Sequence, residues 1–162
     1  MSDITVREAE EKDAEQIWRL LHQILEVHAA IRPDIFAAGT SKYTVDEVKE
    51  LIADGTRRSF VADNGGAVLG YALCVLKEPS DHANTVPVRT LYIDDLCVDE
   101  PCRGRRIGAR LFEHVKAEAK RMGCSYVTLN VWEDNGAAKA FYDKMGMKTR
   151  LTQMELKIDE TV

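Results

Sequence analysis

No run of apolar residues in this sequence approaches the ~20 that a membrane-spanning helix needs, and nothing at its start has the basic-then-apolar pattern of a secretory leader. Cysteine is scarce. Cys74, Cys97, Cys102 and Cys124 form no C-x-x-C pair and have no histidines at zinc-ligand spacing, so free thiols in a reducing cytoplasm are expected. His22 and His28 lie six apart and His82 and His114 stand alone, which argues for surface or core roles and for no metal. Internal repeats and low-complexity tracts are absent. Positive charge is in the minority, and the net charge of −5 argues against wholesale nucleic-acid binding while suiting cationic partners such as amines. What is present is 162 residues, 45% hydrophobic and 30% charged, the size and composition of one globular domain spanning 1–162 with no membrane partner.

Taken in order, Ile4, Val6 and Ala9 around Arg7 mark a short opening strand, followed by an acidic first turn at 10–13. Ile17, Leu20, Leu21, Ile24, Leu25 and His28 then give a long amphipathic helix to about Ala30, ended by Pro33. Thr44 with Glu47 three residues later is a capping box for a short second helix carrying Val48, Leu51 and Ile52. Residues 58–62 and 67–76 read as strands joined through Asp63-Asn64-Gly65-Gly66, a hairpin signal, and 77–87 is a polar loop with two prolines. Strands at 126–131 and about 148–158 flank a helix at 137–144. The order predicts an α/β (α+β mixed) fold, with helices on both faces of a mixed, partly antiparallel sheet.

The stretch on which the rest turns is 92–112. An apolar run containing two carboxylates, 91–98, is closed by Asp99-Glu100-Pro101 and reads as a buried strand; Ile107, Leu111, Val115, Ala119 and Met122 then stripe one face of a helix that Gly123 stops. Between them lie Arg103, Gly104, Arg105, Arg106 and Gly108. Free amides at a helix start, small residues and several guanidinium groups together suit a polyphosphate. The stretch contains no G-x-x-x-x-G-K-S/T, so it is not the P-loop of a nucleotide hydrolase, and no G-x-G-x-x-G with a later acid for a ribose.

What it resembles is the pyrophosphate loop of the GNAT N-acetyltransferase superfamily: Gln or Arg, two residues, Gly, one residue, then Gly or Ala. Arg103 takes the first position and Gly108 the last, while Arg106 stands where the family usually has its first glycine. A second match follows in the family's order: Asn135, Ala138, Phe141 and Tyr142 fit N-x-x-A-x-x-F-Y, with Gly146 and Met147 behind. The resemblance implies a mostly antiparallel sheet of six to seven strands with about four helices, acetyl-CoA as cosubstrate without a metal, an amine of a small molecule or peptide as acceptor, direct transfer in a ternary complex, and dimers as a frequent assembly. It also implies that the cofactor is held by Leu96, Cys97, Val98, Arg103, Gly104, Arg105, Arg106, Ile107, Gly108, Ala109, Asn135, Ala138 and Tyr142.

Acetyl transfer needs an amine made neutral and a proton for the departing thiolate. Strand alternation sends Asp94 to the side of Tyr92, Leu96 and Val98 and Asp95 to that of Leu91, Ile93 and Cys97, so a carboxylate shares a face with apolar neighbours and its pKa rises towards that of a working base. The family places an acid here in some members, which makes Asp94 the first choice and Asp95 the second. Tyr142 is implied as the proton donor. Cys97 has no recognisable base beside it and reads as a small buried apolar residue. Two other classes follow from the same residues: a CoA-binding regulatory protein with a degenerate centre, motivated by Arg106 in place of glycine, and an arginine-rich RNA contact at 103–110.

Overall fold

The turn at Gly65 and Gly66 sets the sheet's register. Both glycines have positive φ, 60° and 98°, as a two-residue hairpin demands, and Asp63 accepts the Gly66 amide at 2.7 Å. The computed structural model describes residues 3–158, which divide into two compact units, 3–130 and 131–158.

In the first unit the elements are β1 (Thr5–Glu8), α1 (Ala14–Ile31), α2 (Val45–Ala53), β2 (Arg57–Asn64), β3 (Ala67–Lys77), β4 (Thr90–Val98), α3 (Ile107–Arg121) and β5 (Tyr126–Leu129). The strands lie in chain order; β1 to β4 pair antiparallel, and β5 pairs parallel with β4 through the α3 crossover. The predicted capping box of α2 is present, with the Glu47 amide donating to Thr44 and the Thr44 amide to Glu47, each at 3.1 Å.

Alternation along the strands fills both faces. Ile17, Leu20 and Leu21 of α1 and Val48 and Leu51 of α2 meet Val61, Val68, Tyr71, Leu73 and Cys97 on one side. On the other side α3 brings Leu111 against Gly70 and His114 edge-on to Phe60, with ring centroids 4.7 Å apart. Each fully buried aliphatic side chain here contributes about 1.5–3 kcal/mol. An ion pair with a buried carboxylate closes the end near β1: Arg7 donates to Asp13 through Nη1 and Nη2 at 2.8 and 3.0 Å and to Asp63 through Nε at 3.0 Å. Asp13, read from sequence as an acid on a helix's first turn, is turned inward.

The second unit holds α4 (Gly136–Lys144), with Asn135 capping it by accepting the Ala138 amide at 3.2 Å. The sheet has five strands rather than six or seven, and 148–158 forms none. Met154, Leu156 and Ile158 do alternate, but alternation only says which face would be buried. A strand exists where its backbone finds a ladder partner, and the described residues of this unit contain no strand to supply one.

Candidate active site

The chain leaves β4 through a short 3-10 turn, Glu100–Cys102, with Pro101 at its start. Gln23 of α1 fastens this turn, donating to Asp99 at 3.1 Å and accepting the Glu100 amide at 3.0 Å. Gly104 then takes φ 86° and Arg106 φ 61°, Arg106 being the one non-glycine with positive φ among the described residues. Arg106 is the N-cap of α3 and offers no side-chain cap. Glycine takes a left-handed backbone without strain; arginine adopts it at a cost of about 1–2 kcal/mol.

Ile107 is buried and pins the helix start to the core. Among the described residues no acceptor meets the amides of Gly104, Arg105, Arg106, Ile107, Gly108 or Ala109. Arg103 sends Nε towards the Val98 carbonyl at 3.4 Å, while Arg105 and Arg106 are exposed and make no ion pair with another described residue. Six amides, the positive end of a helix and three guanidinium groups meet at one turn. They fit a diphosphate.

β4 is irregular at its centre. Ile93 pairs with Cys74 and Asp95 with Leu73, so Asp94 is an extra residue, a β-bulge. The bulge overturns the expected alternation: Leu91 and Ile93 register with Leu76 and Cys74, whereas Asp95 and Cys97 register with Leu73 and Tyr71 on the α1 side. Asp94 reaches the same side, where it accepts from Tyr43 Oη at 3.1 Å and from Lys42 Nζ at 3.2 Å, with Arg57 Nη1 at 3.9 Å. Pairing of β4 with β5 stops at Ile93 and Leu129, just before the bulge. Within the first unit, therefore, Leu96, Cys97 and Val98 border an edge with no strand beside it, and their backbone is open to an extended ligand.

The two carboxylates differ in surroundings. Asp94 is saturated with cations and a hydroxyl. Asp95 is crowded by protein while keeping an accessible edge, and burial pushes its carboxyl up to about 6, against the pull of Lys42, the Tyr71 hydroxyl and the Leu96 amide, with the Asp94 charge adding to the push. The Tyr71 hydroxyl is fully buried and near enough to favour the charged form of Asp95, yet no acceptor stands in hydrogen-bonding geometry to it. Burial, with the Asp95 charge assisting, pushes the Cys97 thiol up to about 12, so it is no nucleophile; it points its sulfur at the Leu20 carbonyl at 3.8 Å.

In the second unit Asn135, Ala138 and Tyr142 line one face of α4, and Phe141 and Tyr142 meet edge-on with ring centroids 5.1 Å apart. Sequence reading missed Gln23, Arg57 and Tyr71, which lie on elements far from the motifs. It also missed Gly70, where an added Cβ would stand 2.8 Å from the Cys97 carbonyl oxygen. An open groove of about 440 Å³, lined by Gln23, Glu26, Val27, Ala30, Glu100 and Arg103, runs between α1 and the turn.

Comparison with known proteins agrees with this geometry. Residues 21–147 match the Acetyltransferase (GNAT) family. A thialysine N-epsilon-acetyltransferase of Bos taurus is 28% identical over 165 residues, spanning 96% of this chain and 89% of its own. The crystal structure of a mutant protein from Bacillus halodurans superposes with a TM-score of 0.90 at 30% identity, covering 95% of this chain and 99% of that one. Glucosamine-6-phosphate N-acetyltransferase from Arabidopsis thaliana shares the fold, with a TM-score of 0.70 at 23% identity over 97% and 99%. The chain belongs to the Acetyltransferase (GNAT) family. Its activity class is that of an N-acetyltransferase.

Proposed function

We propose that the protein moves an acetyl group from acetyl-CoA to a primary amine of a small molecule or peptide, by direct attack in a ternary complex. The observation that carries this reading is the uncapped start of α3, with six unmatched amides, beside a β4 edge with no strand partner. The cofactor supplies the activated thioester. The amides of 104–109 and the guanidinium groups of Arg103, Arg105 and Arg106 would hold its diphosphate, and the backbone of 96–98 its extended arm.

Asp95, rather than Asp94, takes the proton of the incoming ammonium, directly or through water, because its raised pKa lies nearer the working range. The neutral nitrogen attacks the carbonyl carbon, the C–N bond forms and the C–S bond breaks. Asp94, rich in cationic and hydroxyl partners, anchors the ammonium. Tyr142 is assigned the proton returned to the thiolate, and Asn135 and Ala138 cofactor contacts, on the spaced motif they share with the family. The match over 21–147 runs from the first unit into the second and supports treating 1–162 as one catalytic domain. Four free thiols suit a cytoplasmic setting, and a homodimer is the assembly proposed.

The test is release of free CoA thiol in the presence of a panel of amines. Amine-dependent release, with Tyr142→Phe lowering turnover more than cofactor affinity, supports the reading. CoA binding with no release for any amine would replace it with a regulatory CoA-binding role.

A further inference from the structure

Lys42 lies in the segment before α2, and its ammonium stands 3.2 Å from both oxygens of Asp94, while the next residue, Tyr43, donates to the same carboxylate at 3.1 Å. The Lys42 side chain keeps 44% of its surface exposed against 18% for Asp94, so the cation comes from the solvent side onto a largely enclosed anion. A primary ammonium on an unbranched aliphatic chain is thus already seated at the carboxylate assigned above to anchor the acceptor. Arg57 does not compete for that seat in the same way. Its Nη1 is buried and 3.9 Å away, so it neutralises part of the Asp94 charge from within.

We propose that Lys42 is an internal stand-in for the acceptor: it occupies the ammonium subsite made by Asp94 and Tyr43, and a substrate amine must displace it to bind. The inference rests on the acceptor reading of Asp94 given above. Its selective consequence concerns chemistry. An acceptor with a primary ammonium on a slender chain replaces Lys42 contact for contact, whereas a branched or anionic amine cannot. The Lys42 end of the pair faces solvent, so the resident cation is a weak competitor and the subsite yields to substrate at modest cost.

Displacement has a kinetic signature that a structural role for Lys42 lacks. Removing the resident cation lowers KM for an alkylammonium acceptor without raising kcat, whereas loss of a structural contact raises KM or lowers kcat. Besides Lys42, the groups acting on Asp95 are Tyr71 on β3 and Asp94 and the Leu96 amide on β4, so Lys42→Met also moves the titration of Asp95 upward. The comparison is therefore made on the alkaline plateau, at about pH 8.5, where Asp95 is ionised in both proteins.

The experiment measures kcat and KM for a straight-chain primary alkylamine with wild type, Lys42→Met and Lys42→Arg. The expected result is a KM about two- to fivefold lower in Lys42→Met with kcat unchanged. Lys42→Arg keeps a cation near the seat, though not the slender ammonium, and its KM falls less than that of Lys42→Met. An unchanged or raised KM in Lys42→Met, or an equal drop in Lys42→Arg, overturns the inference while amine-dependent turnover continues to support the enzymatic reading. Absence of turnover of the alkylamine in all three proteins also overturns the inference, while the enzymatic reading is decided by the amine panel above.

Discussion

Asp94 and Asp95 are consecutive in β4 yet reach the same side of the sheet, because the bulge at Asp94 places Asp95 opposite Leu73 instead of letting the two alternate. One carboxylate is consequently bathed in cations and the other is crowded and protonated more easily, the separation of environments that divides an anchoring role from a base.

Replacing Asp95 by Asn separates activity from stability. Turnover falls by about 10²–10⁴-fold if this carboxylate is the base. A carboxyl whose folded pKa is raised binds more protons in the native state, so its contribution to stability falls as pH climbs from its unfolded value to about 6. Asp95→Asn therefore gains on wild type between about pH 4 and pH 7, by at most about 3 kcal/mol. Urea unfolding of both proteins at about pH 4 and about pH 8 measures it; a variant that does not gain on wild type between the two pH values contradicts the assignment.

At the phosphate turn, Arg106→Gly removes a strained left-handed arginine, but glycine gains freedom in the unfolded chain, so stability changes by less than about 1 kcal/mol. Gly104→Ala places a side chain at φ 86° and costs about 1 kcal/mol or more. Thermal unfolding of the two variants distinguishes them.

Gly70→Ala forces a Cβ to within 2.8 Å of the Cys97 carbonyl oxygen and 3.1 Å of Leu111 Cδ1. Backbone on one side and a helix on the other leave little room to yield, and the expected cost is about 1–3 kcal/mol. Because the displaced backbone is that of 97–98, CoA affinity falls with it, as calorimetry would register.

Arg7→Met leaves Asp13 buried without its cation. Burial alone would raise the Asp13 pKa; the Arg7 hydrogen bonds and the Glu10 amide reverse this and hold it below the usual carboxylate range. The pair's contribution is present above the unfolded carboxylate pKa and is lost as pH falls through the depressed folded value. At neutral pH the variant loses about 3 kcal/mol, and the loss shrinks in acid, which a series of melting curves against pH would show.

Local patterns carried most of the architecture. The capping box at Thr44, the Gly65-Gly66 turn and the stripe from Ile107 to Ala119 depend on neighbours in sequence and were legible there. The uncapped start of α3 was legible too, since its amides follow one another in the chain. The bulge was not, because pairing Asp95 with Leu73 depends on how β3 twists against β4, and alternation read along one strand cannot show it. Lys42, Arg57 and Tyr71 reach the carboxylates from three other elements, contacts that only the assembled sheet creates. The strand expected at 148–158 shows the converse, a pattern without a partner.

The central claim is that the first turn of α3 grips the diphosphate of coenzyme A, and the most direct measurement is a titration of the labelled protein with CoA followed by amide NMR. The amides of 104–109 should show the largest saturable shifts in the first unit, with those of 96–98 next. Saturable binding that leaves 104–109 unmoved and perturbs amides elsewhere would contradict the account.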